Sequence, residues 1–346
     1  MSFNRPKTLT ITSFAALSFL VCLASCKGTR KTAPVTNGAQ PPLVIRFSDP
    51  GNAGPLAYAK RYGLLDAPLA KVNAKIEWVP AAGAFSANFE AMNAGAINAS
   101  SAAISPIIGA LAHNLKFRIF AVSDRSGLGR QAGILAPAGS DIRTIKDLVG
   151  KRVAVNLAAH GDYMLLKALA DAGVPAEQVI RVPIQPPEAA AAFATGKIDA
   201  WSTFGVFYNT AVKNGAHVLA AEADIGSDDI GVNSANAESL AQNPAAWKVF
   251  LSVLQDLTEL ARREPEKFQN VFTDTGPTAV SGDNLRLAIE DTRALTPPRI
   301  PTEADKQRVA NVAKLFFENK SIDRNITVDD IVFDLNAPAG GARASL

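Results

Sequence analysis

The strongest constraint in this sequence is a pattern stated twice. Residues 43–63, LVIRFSDPGNAGPLAYAKRYG, read as a strand, a loop rich in glycine, proline and asparagine, and a helix stopped by Gly63. Residues 151–173, KRVAVNLAAHGDYMLLKALADAG, repeat that order: Val153 to Val155 as strand, 156–162 as a small-residue loop, 163–172 as helix and Gly173 as the stop. Ile45 stands to Gly63 as Val155 stands to Gly173. Each copy then reaches a strand ending in Val-Pro, at Val79-Pro80 and at Val182-Pro183, followed by an alanine-rich helix. One short phrase closes both: Gly95-Ala96-Ile97-Asn98-Ala99 and Gly196-Lys197-Ile198-Asp199-Ala200. A βαβαβ order stated twice predicts two similar α/β lobes facing each other across a cleft, where strand ends and helix starts converge. Helix starts present unpaired N–H groups and partial positive charge, so the expected occupant is anionic or strongly polar.

The segments around the repeats complete the plan. Residues 107–113 are a predicted helix, 116–123 a strand, and 132–137 an apolar strand crossing into the second lobe. Residues 140–149 read as a short amphipathic helix, 217–219 as a strand, and 230–233 as the return crossing. Beyond them the pattern is helical: 237–263 as one long amphipathic helix, then 265–272, 282–295 and 302–318. The expected boundaries are 43–131 for the first lobe, 132–228 for the second, and 229–346 for the return, with its helices lying back on the first lobe. A chain that crosses twice has a two-segment hinge, which permits closure with little twisting.

Residues 1–25 read as an export signal: Arg5 and Lys7 precede an apolar run at 14–23 that is shorter than the roughly 20 residues needed to span a bilayer. Leu23-Ala24-Ser25-Cys26 resembles the bacterial lipobox, which implies cleavage before Cys26 and a lipid such as palmitate on that cysteine; an ordinary secretory cleavage site is the other reading. Residues 26–42 then form a flexible tether without aromatic residues. The only cysteines are Cys22 and Cys26, so the mature domain has no disulfide, no thiol nucleophile and no cysteine metal site. The net charge of +3 belongs to the leader and tether: without residues 1–25 the count is 33 basic against 32 acidic, and without Lys27, Arg30 and Lys31 it is 30 against 32. That balance leaves no electrostatic footprint for nucleic acid. No metal-ligand spacing and no phosphate-binding Gly-Lys-Ser/Thr loop occurs, so no cofactor and no metal are expected. His113, His160 and His217 fall in separate elements, and only His160 falls in the expected cleft, which speaks against an enzyme.

The ordered set of phrases is more specific than any one of them. Gly63-Leu64-Leu65 after the first helix, Gly-x-Ile-Asn/Asp at 95–98 and 196–199, 148–155 (LVGKRVAV) and the Trp201 that follows Ala200 together resemble the substrate-binding proteins of ABC importers for aliphatic sulfonates, taurine and nitrate, a family that includes binding proteins for thiamine precursors. The resemblance covers residues 43–219 in order and the helical remainder more loosely. It implies a two-lobed periplasmic-binding-protein fold of type II, a small-molecule solute, an ABC permease with its ATPase as partners, and a monomer held to the membrane by its lipid, facing the periplasm or cell exterior.

Carried over by position, the resemblance places ligand contacts in three patches. The first is the loop at 48–54, with Ser48, Asp49 and Asn52. The second is 102–106, with Ala103 and Ser105. The third comes from the other lobe, with His160 ending the turn at 158–160 and Trp201 and Phe204 in 201–206. Two acidic residues usual in the family are replaced by Ile104 and Gly205, and Ala102 replaces a hydroxyl, so the cleft is expected to be more apolar and less negative. Other readings stay open: Trp201 as a core aromatic, Ser105 as a helix cap, His160 as a solvent-facing residue, and Arg125 and Arg130 as part of a solvated loop. The expected function is an extracytoplasmic solute-binding lipoprotein. The alternatives are a thiamine-precursor binding protein, a pyrimidine-synthase-like enzyme, or a sensory module without a permease.

Overall fold

The computed structural model describes residues 41–80, 85–124 and 131–337, with the side chains of 86 and 87 set aside. The expected signal, Cys26, nearly all of the tether, and Arg125 and Arg130 lie outside the described residues.

Residues 43–123 supply the strands β1 (Leu43–Ser48), β2 (Ala74–Val79), β3 (Ala99–Ala103) and β4 (Phe117–Ser123). Residues 132–236 supply β5 (Ala132–Ala136), β6 (Arg152–Val155), β7 (Ile180–Pro183), β8 (Ala200–Phe204), β9 (His217–Ala221) and β10 (Gly231–Asn236). They form two sheets, β2-β1-β3-β10-β4 and β7-β6-β8-β5-β9. In each, three parallel strands are followed by a strand running antiparallel to both its neighbours. That antiparallel strand is the crossing segment itself. β5 enters the second sheet between β8 and β9, and β10 returns to the first between β3 and β4. The crossings at 132–137 and 230–233 are thus interior strands, each locked into the lobe it enters by ladders on both sides.

The repeated helix stop has a common cause. Gly63 and Gly173 adopt φ of 63° and 68°, a left-handed geometry that ends a helix at little cost only for glycine. Apolar spacing then decides what each element buries. On β1, Ile45 and Phe47 are buried on one face. Phe250, from the helix Pro244–Arg263, stacks on Phe47 at 5.4 Å, and Trp247 meets Phe120 at 5.1 Å. Each such fully buried side chain contributes about 1.5–3 kcal/mol relative to exposure. The helix Ile104–Ala112 is apolar on every side and buried along its length, because it packs against both lobes.

Several boundaries differ from expectation for identifiable reasons. The expected helix 237–263 is two helices, Ala237–Gln242 and Pro244–Arg263, because Pro244 has no N–H to continue the first and starts the second. Residues 140–149 hold only a 3₁₀ turn, Ile145–Leu148, closed by a Thr144/Asp147 capping box, and 265–272 reduce to the turn Pro265–Phe268. The helices expected from 107 and 163 begin earlier, at Ile104 and His160. The helix Glu303–Glu318 does not lie on the first lobe alone: it packs against both Ile104–Ala112 and His160–Asp171, and so joins the lobes.

Candidate functional site

The carboxyl ends of β1, β3 and β4 and the start of β10 meet at one end of the first sheet, and a cavity of about 380 Å³ opens there. Its polar lining includes Ser48, Asp49, Ser101, Ser123 and Asn233, and its apolar wall includes Phe47, Leu56, Leu254, Leu295 and Pro298. The helix Pro55–Tyr62 starts at this cavity from Gly54 with no side-chain cap. Pro55 has no N–H and the Gly54 N–H donates to the Phe268 carbonyl at 2.7 Å, which leaves the first-turn N–H groups of Leu56 and Ala57 for a guest. Asp49 is neutralised by Lys60, 2.5 Å away, and also accepts from the Gly51 N–H at 2.9 Å. Ser48 shares a hydrogen bond with Ser100 at 2.6 Å. Asn52 spends its carboxamide on the chain: Nδ2 donates to the carbonyls of Thr273 and Thr278, and Oδ1 accepts from the N–H groups of Phe272 and Thr273. It braces residues 272–278 behind the loop.

The other helix starts are filled from within. At the helix His160–Asp171, the Ala158 N–H donates to Asp162 at 3.0 Å and the Gly161 N–H donates to Asn156 at 2.9 Å. At the helix Ile104–Ala112, the N–H and hydroxyl of Ser105 donate to Asp229 at 2.7 and 2.5 Å, so this carboxylate sits where a helix N-terminus favours an anion. Ser105 lies inside the first turn, and Ala103 holds the capping position with extended backbone. Of the duplicated helix starts expected to receive a ligand, the one at Gly54 is open and the one at 158–162 is closed by its own side chains.

Asp229 also joins the lobes. His160 Nδ1 lies 2.7 Å from its carboxylate and Nε2 lies 3.4 Å from Glu222, while Phe204 meets the imidazole edge-on at 5.2 Å. Burial works against charge on His160, but the hydrogen bonds and negative charges of Asp229 and Glu222 outweigh it and raise its pKa from 6.5 to about 9. A raised folded-state pKa gives stability that is complete below the unfolded value near 6.5 and is lost as pH climbs through about 9. The interval corresponds to about 3 kcal/mol. Urea unfolding should therefore show stability falling from about pH 7 to about pH 10, and His160→Gln should flatten that slope. A slope unchanged by the substitution would assign it to other groups.

The contact between lobes is tight here. A Cβ on Gly109 would lie 2.2 Å from the Ala158 carbonyl oxygen, and Ala158 itself takes a left-handed φ of 52°. That conformation costs an alanine on the order of 1 kcal/mol, and packing against Gly109 holds it in place.

Trp201 lines no part of the cavity. It is 2% exposed and sits in the second lobe's core, with Phe193 at 5.6 Å and Phe207 at 6.0 Å. Strand alternation explains this: Trp201 faces the helices Pro186–Ala194 and Gly205–Lys213, while Phe204, three residues on, reaches His160. The sequence-predicted residues therefore divide, with Ser48 and Asp49 at the cavity, Asn52 behind it, Ser105 and His160 on Asp229, Phe204 against His160, Ala103 at the start of the helix Ile104–Ala112, and Trp201 apart. Sequence reasoning passed over Asp229, Glu222, Asn233 and the wall from 254–298. No local pattern marks them, because each reaches its place through a crossing or a terminal helix. Among the described residues no group of His, Cys, Asp and Glu could hold a metal ion.

Residues 130–268 match the NMT1/THI5-like family. The matched stretch spans all of the second sheet, the β10 return and the long helix over β1. An aliphatic sulfonates-binding protein of Bacillus subtilis (strain 168) is 27% identical over 291 residues, covering 83% of this chain and 85% of its own length. The alkanesulfonate-binding protein SsuA from Xanthomonas axonopodis pv. citri, solved bound to MOPS, superposes with a TM-score of 0.72 at 22% identity, covering 86% of this chain and all of its own. The desulfurization enzyme DSZB shares the fold at a TM-score of 0.56 and 14% identity, over 85% of this chain and 98% of its own. The architecture is thus the two-lobed fold that these binding proteins share, on which an enzyme has also been built.

Proposed function

We propose that this chain is the extracytoplasmic solute-binding lipoprotein of an ABC import system, held to the membrane by lipid on Cys26 and working as a monomer beside a permease and its ATPase. It captures a small organic solute with an anionic or polar head, of the sulfonate, nitrate or taurine kind. The observation that carries this reading is the cavity at the first sheet's strand ends, which pairs the uncapped helix start at Gly54 with an apolar wall. A head group would take the helix-start N–H groups and the Ser123 hydroxyl, and an aliphatic tail would lie along Phe47, Leu254 and Leu295. Lobes 43–131 and 132–228, with the return at 229–346, would close over it. A solute that touches both lobes only when they are shut shifts the hinge equilibrium by its differential affinity.

An enzymatic reading finds less support. His160 commits both ring nitrogens to carboxylates, and no cysteine follows residue 26. Among the described residues no helix is long and apolar enough to cross a membrane.

The test is thermal unfolding of residues 41–346 with hexanesulfonate, ethanesulfonate, taurine and nitrate. A solute at 100 times its dissociation constant should add about 2.7 kcal/mol and raise the midpoint by several degrees. Because Asp49 is already paired with Lys60, taurine's ammonium gains no free carboxylate, and hexanesulfonate should bind more tightly. The absence of any saturable shift would remove this reading.

A further inference from the structure

We infer that Asn233 determines specificity in this cavity, selecting head groups that only accept hydrogen bonds, such as a sulfonate or carboxylate. The inference rests on the cavity being the solute site. Asn233 lies on an interior strand of the first sheet, opposite Ser101 on β3 and Ala121 on β4. It is 6% exposed, and a carboxamide so placed is costly unless its polar atoms are used. The pairing of β10 with β4 shifts register between Asn233 and Ser234, and such bulges re-aim side chains beside binding sites. Here the side chain lines the cavity.

Its orientation is set by one neighbour. The Ser101 hydroxyl donates to Oδ1 at 2.8 Å, which leaves the two N–H groups of Nδ2 as the offered face, with no partner among the described residues. Other polar groups around the cavity are turned inward. Ser48 is tied to Ser100, the Thr258 hydroxyl donates to the Leu254 carbonyl at 2.7 Å, and the Thr296 hydroxyl donates to the Asp124 carbonyl at 3.1 Å. Ser123 adds a hydroxyl that can donate as well as accept. The floor of the cavity therefore presents donors, from Asn233 and from the Leu56 and Ala57 N–H groups in the first turn of the helix Pro55–Tyr62. A protonated amine placed there would bring further donors against them and find the Asp49 carboxylate already engaged by Lys60.

The experiment is calorimetric titration of hexanesulfonate into the wild type, Asn233→Ala and Asn233→Asp, with the unliganded melting midpoint of each recorded. Asn233→Ala should weaken binding about 10- to 100-fold, the usual worth of a hydrogen bond to a charged group. Asn233→Asp keeps the shape and the Ser101 bond but replaces the donor with a like charge, so it should weaken binding further. A readout that needs no variant is the side-chain NH₂ resonance pair of Asn233 in the wild type, which should shift on saturation. Binding by Asn233→Asp that equals wild type, or is no weaker than Asn233→Ala, overturns the assignment, as does an unmoved NH₂ pair. If the wild type binds none of the anions screened, the solute-binding reading falls and takes this inference with it. Binding by the wild type with variants unaffected sinks the role of Asn233 alone.

Discussion

Asp229→Ala is expected to destabilise the folded chain by about 3–5 kcal/mol, the usual cost of removing one member of a buried charge pair. Asp229 is 1% exposed and accepts from the N–H and hydroxyl of Ser105 in one lobe while pairing with His160 in the other. Without it, Ser105 loses the acceptor for two donors, and His160 keeps only the more distant Glu222. Truncation therefore strands charge and polarity rather than merely deleting a contact. Urea unfolding of Asp229→Ala, His160→Gln and the double variant checks this. The single losses should not add, and a coupling near the upper end of the 0.5–3 kcal/mol range is expected for groups in direct contact. A loss below about 1 kcal/mol for Asp229→Ala would mean that water replaces the carboxylate and that the lobes are not joined through it.

Trp201→Ala is expected to cost a similar amount, about 3–5 kcal/mol, because it empties a packed site between Phe193 and Phe207. The folded fraction should bind hexanesulfonate with wild-type affinity, since the side chain faces the helices behind the second sheet. Chemical denaturation and titration of the same preparation separate the effects. Near-normal stability with weakened binding would return Trp201 to the cleft.

How far the site was legible depended on how each residue reaches it. Ser48 and Asp49 follow a strand end in a glycine-rich loop, and both arrive at the cavity because a β1 carboxyl end must open there. Asn52 sits in the same loop, yet its four hydrogen-bond positions serve residues 272–278, more than two hundred residues away in sequence. His160 and Ser105 read from sequence as ligand contacts in separate lobes, and the structure joins them instead through Asp229.

Local sequence is enough to set the duplicated βαβαβ order, the strand composition of both lobes, and the helix stops at Gly63 and Gly173. These follow from local physics: apolar periodicity of two or 3.6 residues, and the left-handed backbone that glycine accepts. Which helix start stays open depends on long-range packing. Free N–H groups at a helix terminus look alike in sequence, whether a guest or the protein's own carboxylate satisfies them. Asp162 is close in sequence to the start it fills, but Asp229 reaches Ser105 across 124 residues through the β10 return. Burial tends to satisfy every polar group by whatever chain lies near in space, and that nearness is a property of the fold.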